Sequence, residues 1–539
     1  MTSTIPSIES TRIIMSREKE SALLWIEENT GRLSDFHQAI YEHAEPAWRE
    51  YRSAADYVAL LRAEGFDVEA GSGGMPTAFM ATWGSGKPVI GAIVEYDAVP
   101  GYSQQPVPER RPRTGLHPWA AGHTDPHSAL GLGALTGVLA AKHAVEKHGL
   151  SVTLRLYGEP AEKVCGSKPV HAAKGYFDDL DAAFSYHPYH ENTAVLDTHC
   201  GSYWSVVFTF QCPEDEPWVD QELLRGAKRA HALPRSPGAL DAVNLMYMTT
   251  KMTKENMYPH TALWTMNEAI LVGGQATSDN LAPRISQIQY SWRSPTLEFQ
   301  QHFYNVLCNN ARHVALVTNT TVHARWVTKT RVGLRNHAMT HLTYANMALT
   351  GPTQFPEEAR AFARQIQKNL GIEPMDDPFT QDCQTLTSPD EAEAHTRETI
   401  PPWQKNFTSD DYVEYTWHAP TVRYYTGRPL MKNPFSWTHW GTLAFNGFRP
   451  AIDPTWLAGG RTMATSVLDL VMQPELLAAA KAEFEERTGG GIGGNSWVPP
   501  LLDRDFQAPI DLPWPEYVET VRGREWSLPT ISTFGEDLH

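Results

Sequence analysis

The hydrophobic and polar positions change their period several times along the chain, and each change predicts a different element. Residues 16–66 carry apolar side chains at spacings of three and four, which predicts helices. Residues 89–101 (VIGAIVEYDAVPG) form an apolar run ending in acidic residues and Pro-Gly, the pattern of a strand buried on both faces with its exit loop. A helix rich in small residues is predicted at 128–146, and strands at 152–158 and 181–188. Connections this long predict parallel strands with right-handed crossovers.

After about residue 202 the pattern predicts β-α-β-β-α-β with alternating strands, the order of a ferredoxin-like satellite module. Helical periodicity returns after about residue 332, and the tail from Thr488 is rich in Gly and Pro, so we expect it to wrap the surface. The predicted fold class is α/β, a mixed, mostly parallel sheet with helices on both faces and an inserted α+β domain. The predicted boundaries are 1–201 and 332–487 for the catalytic domain, 202–331 for the satellite domain and 488–539 for the tail.

Composition limits the classes of partner. The chain has 539 residues, with 45 Lys and Arg against 62 Asp and Glu, a formal net charge of −17 that argues against nucleic-acid binding. Five cysteines without a CxxC pair suit a reducing compartment, and the N-terminus lacks the basic and apolar segments of a secretion signal. No window approaches the roughly 18 apolar residues that a membrane span needs. We therefore expect a cytoplasmic enzyme with a small-molecule substrate.

Polar residues follow the predicted strands in the segments EYDAVPG, GEPAEK and YHPYH. In open α/β sheets ligands bind at the carboxyl ends of the strands, so these loops should converge. In the segment GHTDPHS, Asp125 and His127 lie two residues apart. Pro126 disfavours a helical Asp125, and an extended pair would point both side chains to one side. A carboxylate and an imidazole suit zinc or manganese.

Seven blocks carry a family resemblance and occur in the right order: EHAEPAWREYRSA, GMPTAF, GSGKPVIGAIVEYDAVPG, YGEPAEKVCGSK, FDDLDAAFSYHP, AHALPRSPGALDAVNLM and NLAPRISQIQYSWRSPT. Over roughly residues 20–490 the chain resembles the co-catalytic metallopeptidase and amidohydrolase family of aminoacylases and carboxypeptidase G, particularly its aminobenzoyl-glutamate hydrolase B-subunit-like branch. The resemblance implies a zinc-exopeptidase-like fold.

The resemblance also implies a set of metal ligands. The branch usually has a His-x-Cys-Gly-His segment whose Cys bridges two metals, and here Asp125 replaces that Cys while His127 matches the last His. The next ligand falls on His187 and the last on His439, within SWTHWGTLAFNG.

The family's paired glutamates fall on Glu162 and Lys163. The first is the general base of the family, whereas the second normally binds a metal, which a charged Lys163 cannot do. One ion would keep Asp125, His127 and His187, and three protein ligands plus water is the form of a catalytic zinc site. We therefore expect one ion, zinc or manganese, with the Lys163 ammonium near the lost position.

Three satellite residues carry over from the family. His231 matches a lid histidine that reaches across a dimer to the substrate carbonyl oxygen, so the resemblance implies a homodimer through the satellite domain. Asn280 and Arg293 match the segment that holds the amide and carboxylate of the substrate. A guanidinium fork suits a carboxylate.

The resemblance implies a metal-dependent amidohydrolase that acts on the C–N bond of a small N-acyl or N-aryl amino acid-type substrate. Glu162 would deprotonate a metal-bound water that attacks the amide carbonyl, and the metal and His231 would stabilise the oxyanion. The departures at Asp125 and Lys163 leave two alternatives open. One is non-hydrolytic C–N bond formation or cleavage at a single metal, and the other is a catalytically silent protein that binds a ligand or supports an active partner.

Overall fold

The computed structural model describes residues 13–213, 237–258, 264–274 and 281–527. The helices of these ranges are α1 (Arg17–His43), α2 (Tyr51–Ala63), α3 (His127–His148), α4 (Ser167–Ala173), α5 (Ala239–Met257), α6 (Leu297–Thr318), α7 (His337–Thr350), α8 (Glu357–Asn369), α9 (Pro389–Thr399), α10 (Trp440–Phe445), α11 (Arg449–Met472) and α12 (Pro474–Thr488).

The strands of the same ranges are β1 (Asp67–Ala70), β2 (Phe79–Gly84), β3 (Val89–Val94), β4 (Thr153–Gly158), β5 (Ala182–Tyr189), β6 (Thr193–Ala194), β7 (Ser202–Gln211), β8 (Thr265–Val272), β9 (Ile285–Ser294), β10 (Thr321–Lys329), β11 (Thr421–Gly427), β12 (Tyr517–Thr520) and β13 (Gly523–Trp526).

A seven-stranded sheet forms the centre of the larger domain, in the order β1-β2-β4-β3-β5-β11-β6. Its four middle strands, β4, β3, β5 and β11, run parallel, and antiparallel strands flank them on both sides. The predicted fold class, a mixed and mostly parallel sheet with an inserted α+β module, is confirmed.

Strand β3 is buried on both faces because its alternate residues belong to two hydrophobic cores. Ile90 and Ala92 pack in the core that α1, α3 and α11 cover. Val89 and Ile93 pack in a second core, which includes residues of α4 and of the 3-10 helical turn Asp411–Trp417. This arrangement explains the uninterrupted apolar run, since neither face of the strand meets water.

Helix α3 lies in the first core. Its length and composition would allow it to cross a membrane, but 89% of its most apolar 18-residue window is buried inside the protein. The helix is therefore a core helix of a globular domain, as its many small residues predict.

The inserted module has the predicted order β7-α5-β8-β9-α6-β10 and a four-stranded antiparallel sheet in the order β10-β7-β9-β8. Its own core contains Val206, Phe208, Met246, Ile288 and Phe303. The residue boundaries assigned to the domains stay a prediction.

The described part of the tail runs over the surface of both domains. Leu502 and Phe506 pack beside Trp48 of the catalytic domain. Leu512 packs against Val207 of the satellite sheet. The tail therefore connects the two domains.

Candidate metal centre and active site

The site lies at the carboxyl ends of the parallel strands. Glu95 and Asp97 follow β3 directly, and His187 lies near the end of β5. The turn Glu162–Val164 follows β4, and α3 begins with His127. Strands that run parallel end at the same edge of the sheet, so residues far apart in the sequence meet there.

Two buried histidines present the same ring nitrogen to the site. His127 Nδ1 lies 2.6 Å from Asp97 Oδ1, and His187 Nδ1 lies 2.6 Å from the carbonyl oxygen of Pro188. Each Nδ1–H donates to its partner, which leaves the Nε2 lone pair for a cation. Burial lowers the pKa of His187 to about 3, so its ring is neutral at physiological pH.

Glu95 joins these two histidines in one group of ligand atoms. One ligand atom each from Glu95, His127 and His187 lie within 4.8 Å of one another, and all three side chains are buried. A second such group contains Asp97, His127 and Glu162. Ligands on one tetrahedral ion lie roughly 3.5 Å apart at the usual bond lengths, so small side-chain movements would bring either group to bonding distance.

Asp125 belongs to none of these groups in the part of the chain that the structure describes. The amide of His127 donates to the carbonyl oxygen of Asp125 (2.8 Å), and Pro126 has φ −79° and ψ 67°. These values define an inverse γ-turn, so the segment is not extended through Pro126 as predicted. The predicted pairing of Asp125 and His127 on one side is therefore not observed.

Two cations hold Asp125 instead. Its Oδ2 lies 3.2 Å from Lys163 Nζ and 4.0 Å from His187 Nε2, and its Oδ1 lies 3.5 Å from Arg428. Burial opposes its negative charge, but Lys163, His187 and Arg428 outweigh burial and hold the pKa of Asp125 well below its usual value. Asp125 is thus ionised, and its side chain is 37% exposed at the cavity.

Lys163 points into the middle of the site. Its Nζ lies 3.0 Å from His127 Nε2 and 3.4 Å from Glu162 Oε2. Burial disfavours the ammonium, but Asp125 and Glu162 outweigh burial and raise the pKa of Lys163 above its ordinary value. A charged Lys163 donates to His127 Nε2, which requires a neutral His127 ring and prevents Lys163 from binding a metal.

A buried ion-pair network lies below the histidines. Lys168 Nζ is 2.8 Å from Glu95 Oε1 and 2.5 Å from Asp411 Oδ1, and all three side chains are at most 1% exposed. Arg423 pairs with Asp410 at 2.5 Å. Burial raises the pKa of Glu95 despite the neighbouring Lys168.

A cavity of about 520 Å³ opens above these residues. Asp125, Glu162 and His187 line its wall on the catalytic domain. Arg293, on β9 of the satellite domain, lines it from the other side and donates through NH1 to Thr408 Oγ1 (2.9 Å). The structure thus places Arg293 in the same cavity as the predicted base and ligands.

His439 lies in a neighbouring cavity of about 400 Å³, together with Tyr102 and Trp119. It is the N-cap of α10, where its Nδ1 accepts from the amide of Gly441 (3.1 Å). Thr438 lines both cavities. The structure therefore places His439 next to the predicted site, with its Nδ1 used for capping.

The predictions for His231 and Asn280 lie outside the described residues.

Sequence reasoning did not assign several charged residues of the site: Lys168, Asp410, Asp411, Arg423 and Arg428. The acidic pair in the segment TSDDY and the two arginines in VRYYTGR were visible. An arginine inside an otherwise apolar strand is the signal that could have been used, because a buried charge requires a partner.

Comparisons with known proteins identify relatives of this chain. The chain is 28% identical over 473 residues to one of the subunits of the p-aminobenzoyl-glutamate hydrolase of Escherichia coli, an alignment that covers 86% of this chain and 94% of the relative. It is 27% identical over 319 residues to the Xaa-Arg dipeptidase of Mus musculus, which covers 56% of this chain and 64% of the relative. No family model matches the chain.

A solved structure shares the fold. The crystal structure of a candidate aminohydrolase from methicillin-resistant Staphylococcus aureus superposes with a TM-score of 0.51 and 13% identity, covering 84% of this chain and all of that chain.

Fold, strand-end polar residues and relatives together define an α/β enzyme of the metal-dependent hydrolase class. The chain belongs to the co-catalytic metallopeptidase and amidohydrolase family, and the predicted family and enzyme class are confirmed.

Proposed function

We propose that this protein is a metal-dependent amidohydrolase that cleaves the C–N bond of a small N-acyl or N-aryl amino acid-type substrate. One observation carries the proposal: two neutral imidazoles and Glu162 meet beside a cavity that Arg293 enters from the opposite domain. The name of the E. coli relative, a hydrolase of p-aminobenzoyl-glutamate, supports an N-acylated amino acid as the substrate class.

The residues present fit one metal ion and do not fit two. His127 and His187 offer Nε2, and Glu95, Asp125 and Glu162 offer carboxylate oxygens, a donor set that suits zinc or manganese. The charged Lys163 stands where the family's second glutamate would bind. When bound, the ion would polarise the attacking water and the substrate carbonyl.

The chain's own residues would then perform the proton transfers. Glu162, which is 11% exposed at the cavity wall, would accept a proton from water and return it to the leaving amine. Lys163 holds both Glu162 and Asp125 in place. The guanidinium of Arg293 would bind the substrate carboxylate, which sets the distance between that carboxylate and the scissile bond.

The test is turnover by zinc- or manganese-loaded protein on a panel of N-acyl and N-aryl amino acids, with the released carboxylate and amine both quantified. Glu162→Gln should lower turnover by about 10²–10⁴-fold and leave the metal content unchanged. Glu159→Gln is the matched control, since Glu159 is buried three residues earlier and binds His171 and Tyr415.

The other outcomes identify the alternatives. C–N bond formation or rearrangement without a free carboxylate and amine would replace hydrolysis with the non-hydrolytic function. A protein that takes up no ion and turns over none of the panel would be catalytically silent, with a role in binding or in support of an active partner.

We further propose a homodimer through the satellite domain in a reducing compartment such as the cytoplasm. The satellite exposes large apolar side chains, among them Met252 (66%), Leu281 (69%) and Leu316 (77%), which supports an interface there. All five cysteines are free, as expected for cytoplasmic proteins. The molar mass by light scattering tests the dimer, and Leu316→Glu should shift it toward the monomer.

A further inference from the structure

The unused carboxylate of Glu95 is the feature that the proposed function leaves unexplained. Glu95 is 1% exposed, and its Oε1 pairs with Lys168 at 2.8 Å. Its Oε2 accepts no hydrogen bond from the described residues, although it lies 3.4 Å from His127 Nε2. A buried carboxylate oxygen without a donor is costly, so this atom requires a cation.

We propose that Glu95 is a direct ligand of the single ion, which it binds together with His127 and His187. Glu95 thereby supplies the carboxylate that the family takes from the position of Lys163. The inference rests on the proposed metal-dependent function and names the ligand set of that same site.

The geometry favours Glu95 over Asp125 as this ligand. Glu95 shares a group within 4.8 Å with both histidine Nε2 atoms, whereas Asp125 lies 4.0 Å from His187 and shares no such group with His127. Asp125 is already paired with Lys163 and Arg428. The unpaired oxygen of Glu95 therefore has the larger need for a cation.

The charge of the connected network agrees with a divalent ion. The network contains six carboxylates and four cations, which leave a formal charge of −2 when the histidines are neutral: Glu95, Asp97, Asp125, Glu162, Asp410 and Asp411 against Lys163, Lys168, Arg423 and Arg428. One Zn²⁺ or Mn²⁺ neutralises this excess.

Binding of the ion changes the place of Lys163. Its Nζ now donates to His127 Nε2 at 3.0 Å, and that lone pair cannot serve an ammonium and a metal together. The ammonium must withdraw toward Asp125 and Glu162, which lie 3.2 and 3.4 Å from it. Lys163 then holds these two carboxylates at the mouth of the site while Glu95 holds the ion below.

The experiment measures Zn²⁺ affinity and stoichiometry for the stripped full-length protein by competition with a chromophoric chelator. We expect one Zn²⁺ per chain in the wild type and a loss of affinity above about 100-fold in Glu95→Gln, because loss of an outer-shell partner costs only about 10–100-fold. Glu159→Gln, the buried carboxylate that follows the neighbouring strand β4, should stay within about threefold of the wild type.

A loss of 100-fold or less in Glu95→Gln overturns direct ligation and leaves the proposed function standing. Failure of the wild type to bind Zn²⁺ overturns the proposed function itself. If Glu95→Gln does not fold, an anomalous-scattering map of wild-type crystals at the zinc edge decides. A peak at bonding distance from Glu95 Oε2 supports the inference, and a peak bonded to Asp125 without Glu95 overturns it.

Discussion

Lys163 shows how one residue changes the chemistry of a family site. Its ammonium contacts three groups that a divalent ion would otherwise compete for: Asp125, His127 and Glu162. A lysine carries one positive charge and no lone pair while charged, so it can neutralise carboxylates but cannot activate water as a Lewis acid. A lysine at this position therefore exchanges a second metal for a fixed charge.

Returning a carboxylate to this position should restore the second ion. In Lys163→Glu the formal charge of the network falls from −2 to −4, and a new ligand stands beside Asp125 and Glu162. We expect the metal content after dialysis against Zn²⁺, measured by elemental analysis, to rise from one to two ions per chain.

Lys163→Met is the matched control, because it removes the charge without adding a ligand. It should keep one ion and bind it more tightly, since no ammonium competes for His127 Nε2. A single ion in Lys163→Glu would show that the second position has lost more than its glutamate.

The sequence could predict the residue types of the site better than their geometry. His127, His187 and Glu162 were visible because each follows a strand or begins a helix at one edge of the sheet. The role of Glu95 as a partner of both histidines was not visible, because it depends on side-chain distances between three separate segments. The turn at Pro126 was also missed, since the residue before proline is restricted but the turn itself is not encoded by that rule.

At the scale of elements, small residues set how closely α3 approaches its neighbours. Tyr186 of β5 lies between Gly133 of α3 and Gly459 of α11, and its hydroxyl donates to the carbonyl oxygen of Thr455 (2.9 Å). The sequence predicted a helix that packs closely on a sheet. It could not predict that the glycines of two helices would enclose one tyrosine ring.

A methyl group at Gly133 should destabilise the protein by overpacking. A Cβ built there would lie 2.2 Å from Cε1 of Tyr186, which is buried and held by its hydroxyl. We expect Gly133→Ala to lower the free energy of unfolding by about 1–3 kcal/mol, measured as a lower midpoint in urea.

Gly31 provides the control for helix propensity. It lies in α1, is exposed, and has no heavy atom within 4 Å of an added Cβ. Gly31→Ala should therefore raise stability by about 0.5–1 kcal/mol. Equal effects of the two substitutions would contradict the packing argument.

At the scale of the whole molecule, the active cavity depends on how the two domains are held together. Arg293 comes from the satellite sheet, whereas Glu162 and His187 come from the central sheet. The tail joins the two units through the packing of Leu512 on Val207 and the pairing of Asp511 with Arg325 at 2.6 Å. The Gly- and Pro-rich tail pattern predicted a surface path, but which domains it would join depends on tertiary contacts.

The whole molecule also buries several histidines in the neutral form. Burial lowers the pKa of His37, His123, His187 and His199 to about 3 each, whereas an unfolded chain titrates its histidines near pH 6.5. Below pH 6.5 the unfolded chain therefore binds more protons than the folded chain. The free energy of unfolding must fall as the pH falls from about 6.5 toward 3.

His37→Phe tests this linkage away from the site, because phenylalanine keeps a ring in α1 and cannot take up a proton. With a pKa of 6.5 in the unfolded chain and about 3 in the folded chain, His37 accounts for about 1.4 kcal/mol of the stability lost between pH 7.5 and 5.5. Urea unfolding at both pH values should show that the variant loses less stability than the wild type by this amount. An equal loss in the two proteins would mean that His37 is protonated in the fold or protected in the unfolded chain, and the pH dependence would then have to come from other groups.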